Sequence, residues 1–299
     1  MVEFQEGTLD TLMERLCSSI SDFDPEWATR CVPATEEQIQ QLQDILAKYR
    51  YTIPAAYLYY LKRMGQDDGG LQETGCCDLE VDIGTVLELL SDREASDLEE
   101  GLFNPMVTNL EGVYVAESFE KYLFRKAFHM YMRGLTYREF TSSPVCRHHE
   151  KNRIENCRTC AYCGDTVEER MDFIHRMAEA YGLKKAWFSD RAHFICYHAN
   201  YAFEIDVCQG YSASFSCNDE ELWKQVRYRI GLFPDFFACL SSFENEKDGE
   251  DEKDRKDEKD RKDEKDDDDM YERHASFNRY GDLSKLITDP DLLQSVSIG

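Results

Sequence analysis

The stretch PATEEQIQQLQDILAKYRYTIPAAYLYYLKRMGQDDGGL, residues 33 to 71, carries its own punctuation. Thr35 followed by Gln38 is a capping-box pattern, and Ile39, Leu42 and Leu46 recur at helical spacing behind it, so a helix begins at Thr35. A second helix starts at Pro54, where a missing N–H is harmless, and ends at Gly65, the usual residue for a left-handed cap. Upstream, Leu9, Leu12, Met13, Leu16 and Ile20 mark an earlier amphipathic helix. Downstream the period changes: CDLEVDI (77 to 83) alternates like a strand, GVYVAE (112 to 117) is a second strand candidate, and Ser118 caps a long helix through FEKYLFRKAFHMYM.

Residues 166 to 240 read as a second α+β unit. A helix runs from about Val167 to Tyr181 and stops at Gly182. In YAFEIDV, Tyr201, Phe203, Ile205 and Val207 share one face while Glu204 and Asp206 face away, the pattern of a half-buried antiparallel strand. KAWFS, HFICYH and YSASFSC are its expected neighbours, and Asn218 with Glu221 starts a last helix carrying Leu222 and Val226. The expected fold class is α+β. The divisions are 1–140 for the first domain, 141–165 for a Cys/His segment, 166–240 for the second unit, 244–269 for an acidic linker and 270–299 for a tail.

The pattern of residues 33 to 71 resembles the opening of the SUKH superfamily, which includes a fungal cell-wall assembly regulator and many bacterial toxin-immunity proteins. The matching elements are Thr35 to Lys48, Ile53 with Pro54, Tyr57 to Leu61, and Gly65. GVYVAESFEKYLFRKAF is similar to that family's late strand and Ser-Phe-Glu helix start, at Ser118, Phe119 and Glu120. The similarity spans residues 25 to 140. It implies a mixed sheet flanked by helices, and a non-enzymatic protein that acts by binding other proteins. No individual contact carries over, because partner-contacting positions vary within that family. Physical character alone nominates Tyr59, Tyr60, Asp67 and Asp68 as partner contacts; the blander reading is buried aromatics and a polar turn.

CRHHEKNRIENCRTCAYCG, residues 146 to 164, concentrates metal-ligating side chains. Cys160 and Cys163 followed by Gly164 have zinc-knuckle spacing, Cys146 with His149 or His148 supplies another pair, and Cys157 competes. Four such ligands close a tetrahedral zinc site that stabilises the fold without chemistry. His148 and Glu150 also match the H-x-E of zinc deaminases, but only eight residues separate His148 from Cys157 and the Pro before the first Cys is missing. Ser212 in GYSAS lacks the second Gly of a nucleophile elbow. His129, His175, His193 and His198 read as packed or surface histidines.

The net charge of -25 argues against nucleic acid and anionic membranes as partners and favours a basic protein. The start of the chain lacks a basic, then apolar, leader, and the twelve cysteines read as thiols or metal ligands of a reducing compartment, so the expected location is cytoplasmic. Residues 244 to 269 contain EKDRKD twice and carry eight basic against sixteen acidic residues with nothing apolar. Such a stretch cannot repay its ordering entropy, and an extended linker is expected. Behind it, LSKLITDPDLLQSV is an apolar clip that returns to the body or binds a partner.

The leading functional expectation is an immunity or regulatory protein that occludes a protein partner, a toxin among the candidates. The alternative is an intracellular scaffold or signalling hub acting through the acidic tail. A zinc hydrolase or deaminase is the third.

Overall fold

The apolar stripe of the first helix is fully used. In the computed structural model, α1 spans Glu6–Phe23, and Leu9, Leu12, Met13, Leu16 and Ile20 are all buried. The structure describes residues 6–72, 81–91, 107–108, 114–142, 167–190, 193–198, 201–206, 212–227, 229, 239–240 and 286. After α1 come α2 (Trp27–Arg30), β1 (Cys31–Val32) and α3 (Glu36–Lys48). α3 begins as its sequence requires: the Gln38 N–H donates to Thr35 Oγ1 at 3.2 Å and the Thr35 N–H to Gln38 Oε1 at 2.9 Å. Next are α4 (Ala55–Met64), β2 (Asp67–Asp68) and α5 (Ile83–Ser91).

Gly65 departs from expectation. Its φ is -74°, so it is not a left-handed cap. Close approach demands it instead: a Cβ there would lie 2.7 Å from the Leu61 backbone and 3.0 Å from the Ala34 side chain. The left-handed residues follow at Gly69 and Gly70, in the turn directly after β2. Most of CDLEVDI lies outside the described residues, and its last member, Ile83, opens α5.

The chain continues through β3 (Val107–Thr108), β4 (Tyr114–Ala116) and α6 (Phe119–Gly134). Ser118 caps α6, its hydroxyl accepting from the Lys121 N–H. Then come β5 (Tyr137–Ser142), α7 (Val167–Ala180), β6 (Lys184–Lys185), β7 (His193–His198), β8 (Tyr201–Asp206), β9 (Ser212–Cys217) and α8 (Glu220–Val226). Of KAWFS, the strand β6 takes only Lys185. The cap of α8 is Asp219, which accepts from the Leu222 N–H; Asn218 instead accepts from the Thr136 N–H at 2.9 Å.

Strands β5 to β9 form one sheet in the order β5-β9-β8-β7-β6. Every pairing among the described strands is antiparallel, where the family resemblance implied a mixed sheet. β5 pairs with β9 along its whole length, from Tyr137 opposite Cys217 to Ser142 opposite Ser212. The segments 1–140 and 166–240 therefore share a sheet, and the division drawn at 140 falls inside a strand. The fold is α+β.

Alternate residues of the sheet enter two different cores. Phe194, Cys196, Tyr201, Phe203, Ile205, Ala213 and Phe215 join residues of α7 and α8, including Ile174 and Leu222. Ile195 and Ala202 join the larger core built by α1, α3, α4 and α6. α6 is thus enclosed over most of its circumference, with Tyr122 to Phe128 buried without interruption. This overturns the half-buried reading of β8: Glu204 is only 8% exposed, because α6 covers the face that alternation assigned to water. No helix among the described residues is long and apolar enough to cross a membrane.

Candidate functional site

On α3 the residues opposite the buried Ile39–Leu42–Leu46 stripe face solvent. Glu36, Glu37, Gln40, Gln41, Asp44 and Lys48 are exposed and line an open hollow of about 940 Å³. Its apolar lining is half-buried Ile45 and Tyr49 with Leu90 from α5. The Gln40 side-chain amide donates to Asp44 Oδ1 at 2.9 Å, holding that carboxylate along the helix. Three carboxylates against one lysine give the rim a negative bias, and the apolar patch inside it is the part able to release water on contact.

The four nominated contact residues divide. Tyr60 is fully buried: its hydroxyl donates to Asp68 Oδ2 at 3.3 Å and accepts from Gln72 Nε2 at 2.7 Å. Asp68 is 5% exposed, and its carboxylate also accepts from the Gln72 N–H. Burial pushes the Asp68 carboxyl above its ordinary range, against the opposing pull of these hydrogen bonds. Neither Tyr60 nor Asp68 presents a surface to a partner, because both are spent tying α4 to the β2 turn. Trp27 completes that knot, its indole N–H donating to the Asp68 carbonyl at 2.8 Å. Tyr59 is half-buried, and Asp67 is exposed with its carboxylate accepting from the Gly69 N–H.

A second constellation sits between α6 and the sheet. Arg125 and His129 stand one turn apart on α6, which aims both at the same strip of β7 and β8. Arg125 Nη1 lies 2.5 Å from His193 Nδ1, and Asp190 Oδ1 lies 3.1 Å from the same nitrogen. His129 Nε2 pairs with Glu204 Oε2. Arg125, Asp190, His193 and Glu204 are each less than a tenth exposed. Burial alone would raise the Glu204 carboxyl, but the His129 charge and hydrogen bond, with His193 and Arg125 behind them, hold it at about 2. These contacts join one face of α6 to β7, β8 and Asp190.

Sequence reasoning classed His129 and His193 as ordinary histidines and did not connect them with Arg125 or Glu204. The available signal was the four-residue spacing of Arg125 and His129 on α6, each following a phenylalanine, together with Glu204 set between Phe203 and Ile205 on β8. His175 sits against the Phe194 ring at a centroid distance of 5.0 Å, and burial lowers its proton affinity. His198 stacks on Tyr201 at 4.9 Å.

The nominated metal ligands Cys146, His149, Cys157, Cys160 and Cys163 lie outside the described residues, as do His148 and Glu150. Of the other cysteines, Cys31 is a thiol pushed up to about 12, first by burial and then by the charge of Asp68. Complete burial raises the Cys196 thiol well above its ordinary value. Neither is a thiolate nucleophile at neutral pH. Compared with known proteins, the chain matches no family model, no curated protein and no solved structure.

Proposed function

We propose that this chain is a protein-binding module of the regulatory or immunity kind, which occludes a basic surface of its partner with the hollow on α3. The observation that carries the reading is the combination of Glu36, Glu37 and Asp44 on the rim with Ile45, Tyr49 and Leu90 inside. Long-range attraction from a chain of charge -25 speeds encounter with a basic protein, and the apolar patch then slows its departure. The resemblance of residues 25 to 140 to the SUKH superfamily points to the same non-enzymatic role.

Reversing two rim charges, Glu37→Lys with Asp44→Lys, tests this by affinity capture against the unaltered chain. A protein retained by the unaltered chain, released by salt and bound about 10-fold or more weakly by the variant is the expected result. Equal retention by both chains removes the hollow from the reading. Retention lost instead on deleting residues 244–299 favours a tail-driven scaffold.

The Cys/His segment is part of the proposal through its spacing alone: four of Cys146, His149, Cys157, Cys160 and Cys163 hold one structural zinc ion. Metal analysis of purified protein is expected to give about one zinc per chain, and Cys160→Ser to abolish it. The melting midpoint should fall by about a few degrees while partner binding through α3 persists. A zinc-free wild-type chain, purified with reductant and without chelator, contradicts the assignment.

A further inference from the structure

Leu286 lies beyond the acidic repeat in sequence, yet it is fully buried and belongs to the same apolar cluster as Phe124, Phe128 and Phe188. Its carbonyl accepts the Trp187 indole N–H at 3.1 Å. Trp187 in turn sits edge-on to Phe124, with ring centroids 4.8 Å apart, and edge-on to Phe188 at 5.9 Å. The seat is thus an aromatic corner between α6 and the β6–β7 connection, with one polar handle directed at a main-chain carbonyl. An apolar surface with a fixed donor that reads a backbone oxygen is the chemistry of a peptide-docking site.

The previous described residues, Cys239 and Leu240, are buried in the other core. About 45 residues, including the whole acidic repeat, therefore connect two anchored points. Among the described residues the second anchor is Leu286: its buried side chain and one hydrogen bond are of similar size to the entropy of closing so long a connection. The covalent connection to Leu240 gives this contact a local concentration that a free segment lacks.

We propose that the Trp187 corner is a docking site for a leucine-bearing peptide segment, and that this chain's own segment around Leu286 occupies it as a tethered competitor. A partner presenting a similar segment gains the corner only by displacing Leu286, and displacement leaves the acidic repeat attached at one end instead of two. The site is separate from the hollow on α3 and does not depend on its role.

The test uses full-length protein and the indole N–H resonances of Trp27, Trp187 and Trp223, with Trp187→Phe to assign the second. Leu286→Asp, and Leu286→Ala as a milder variant, should shift the Trp187 resonance while those of Trp27 and Trp223 stay in place and report an intact fold. A synthetic peptide of residues 281–293, added at up to millimolar concentration to Leu286→Asp, should return the Trp187 resonance to its wild-type position. Wild-type protein should bind that peptide about 10-fold or more weakly, because its site is already filled. An unmoved Trp187 resonance in both Leu286 variants overturns the tethered contact. A moved resonance that the peptide fails to restore overturns the docking site, as does equal peptide affinity for wild type and Leu286→Asp. Glu37→Lys with Asp44→Lys should leave every one of these results unchanged, which separates this site from the α3 hollow.

Discussion

Glu204→Gln is expected to lower the stability of the fold by about 3 kcal/mol at neutral pH. The carboxyl is held at about 2 in the folded chain against an ordinary 4.5, and a displacement of that size corresponds to a stabilisation of about 3 kcal/mol. The amide can still accept from His129, but it removes the negative charge that Arg125, His129 and His193 share in a place with little water. Because the folded value is depressed, the carboxylate's contribution is present above pH 4.5 and is lost as pH falls from there through 2. Wild-type protein should therefore lose stability across that window more steeply than the variant, and the two denaturation midpoints should converge towards pH 2. Chemical denaturation at pH 7, 4.5 and 3 measures both effects. A loss under about 1 kcal/mol with the same acid slope would show that Glu204 does not carry the charge in the folded chain.

Gly69→Ala should be comparably damaging, at about 3 to 4 kcal/mol, for reasons of backbone and packing together. Gly69 has φ +69°, a left-handed conformation that costs an L-residue about 1–2 kcal/mol. A Cβ there would also lie 2.8 Å from Trp27 Cδ1, 2.9 Å from its Nε1 and 3.0 Å from its carbonyl oxygen. Trp27 is 2% exposed and its indole N–H is committed to the Asp68 carbonyl, so moving the ring aside breaks a buried hydrogen bond worth about 1–3 kcal/mol. Gly182→Ala is the matched comparison. Gly182 has φ +71° with nothing within 4 Å of its would-be Cβ, so it bears the conformational cost alone. The difference between the two variants in urea unfolding reads the packing of Trp27 directly. Equal losses would mean that the Trp27 knot is loose enough to absorb a methyl group.

These two residues also mark where local sequence patterns stop being informative. The glycine-rich turn at 65 to 70 was legible as a turn, but its left-handed positions lie at Gly69 and Gly70, four and five residues beyond the helix-ending glycine expected to adopt that conformation. What leaves no room for a side chain at 69 is Trp27, a residue 42 positions away whose ring occupies the space over Gly69. In the same way, Tyr60 and Asp68 have the composition of an exposed recognition patch. They are buried because the indole of Trp27 and the side chain of Gln72 complete their hydrogen bonds. The acidic rim on α3 was readable in part, since the buried stripe of that helix was plain and the opposite face had to be polar. The hollow itself depends on Leu90 of α5, which helical periodicity in residues 36 to 48 does not contain.

The amino-acid sequence by itself determined where α3 and α6 begin, which faces of α1 and α3 turn inward, and that strands follow α7. Capping by Thr35 and Ser118 reaches only three residues along the chain, and the apolar stripes of α1 and α3 recur every three or four residues, so both signals are local even though burying the stripes needs a partner. Only the tertiary structure decided that the second face of β8 meets α6 instead of water. Alternation along a strand states that its two faces differ, whereas burial of Glu204 depends on Arg125 and His129 arriving from 75 or more positions earlier. It also decided that Leu286 reaches the Trp187 corner. That contact spans 99 positions, and its existence rests on the three-dimensional placement of an aromatic seat.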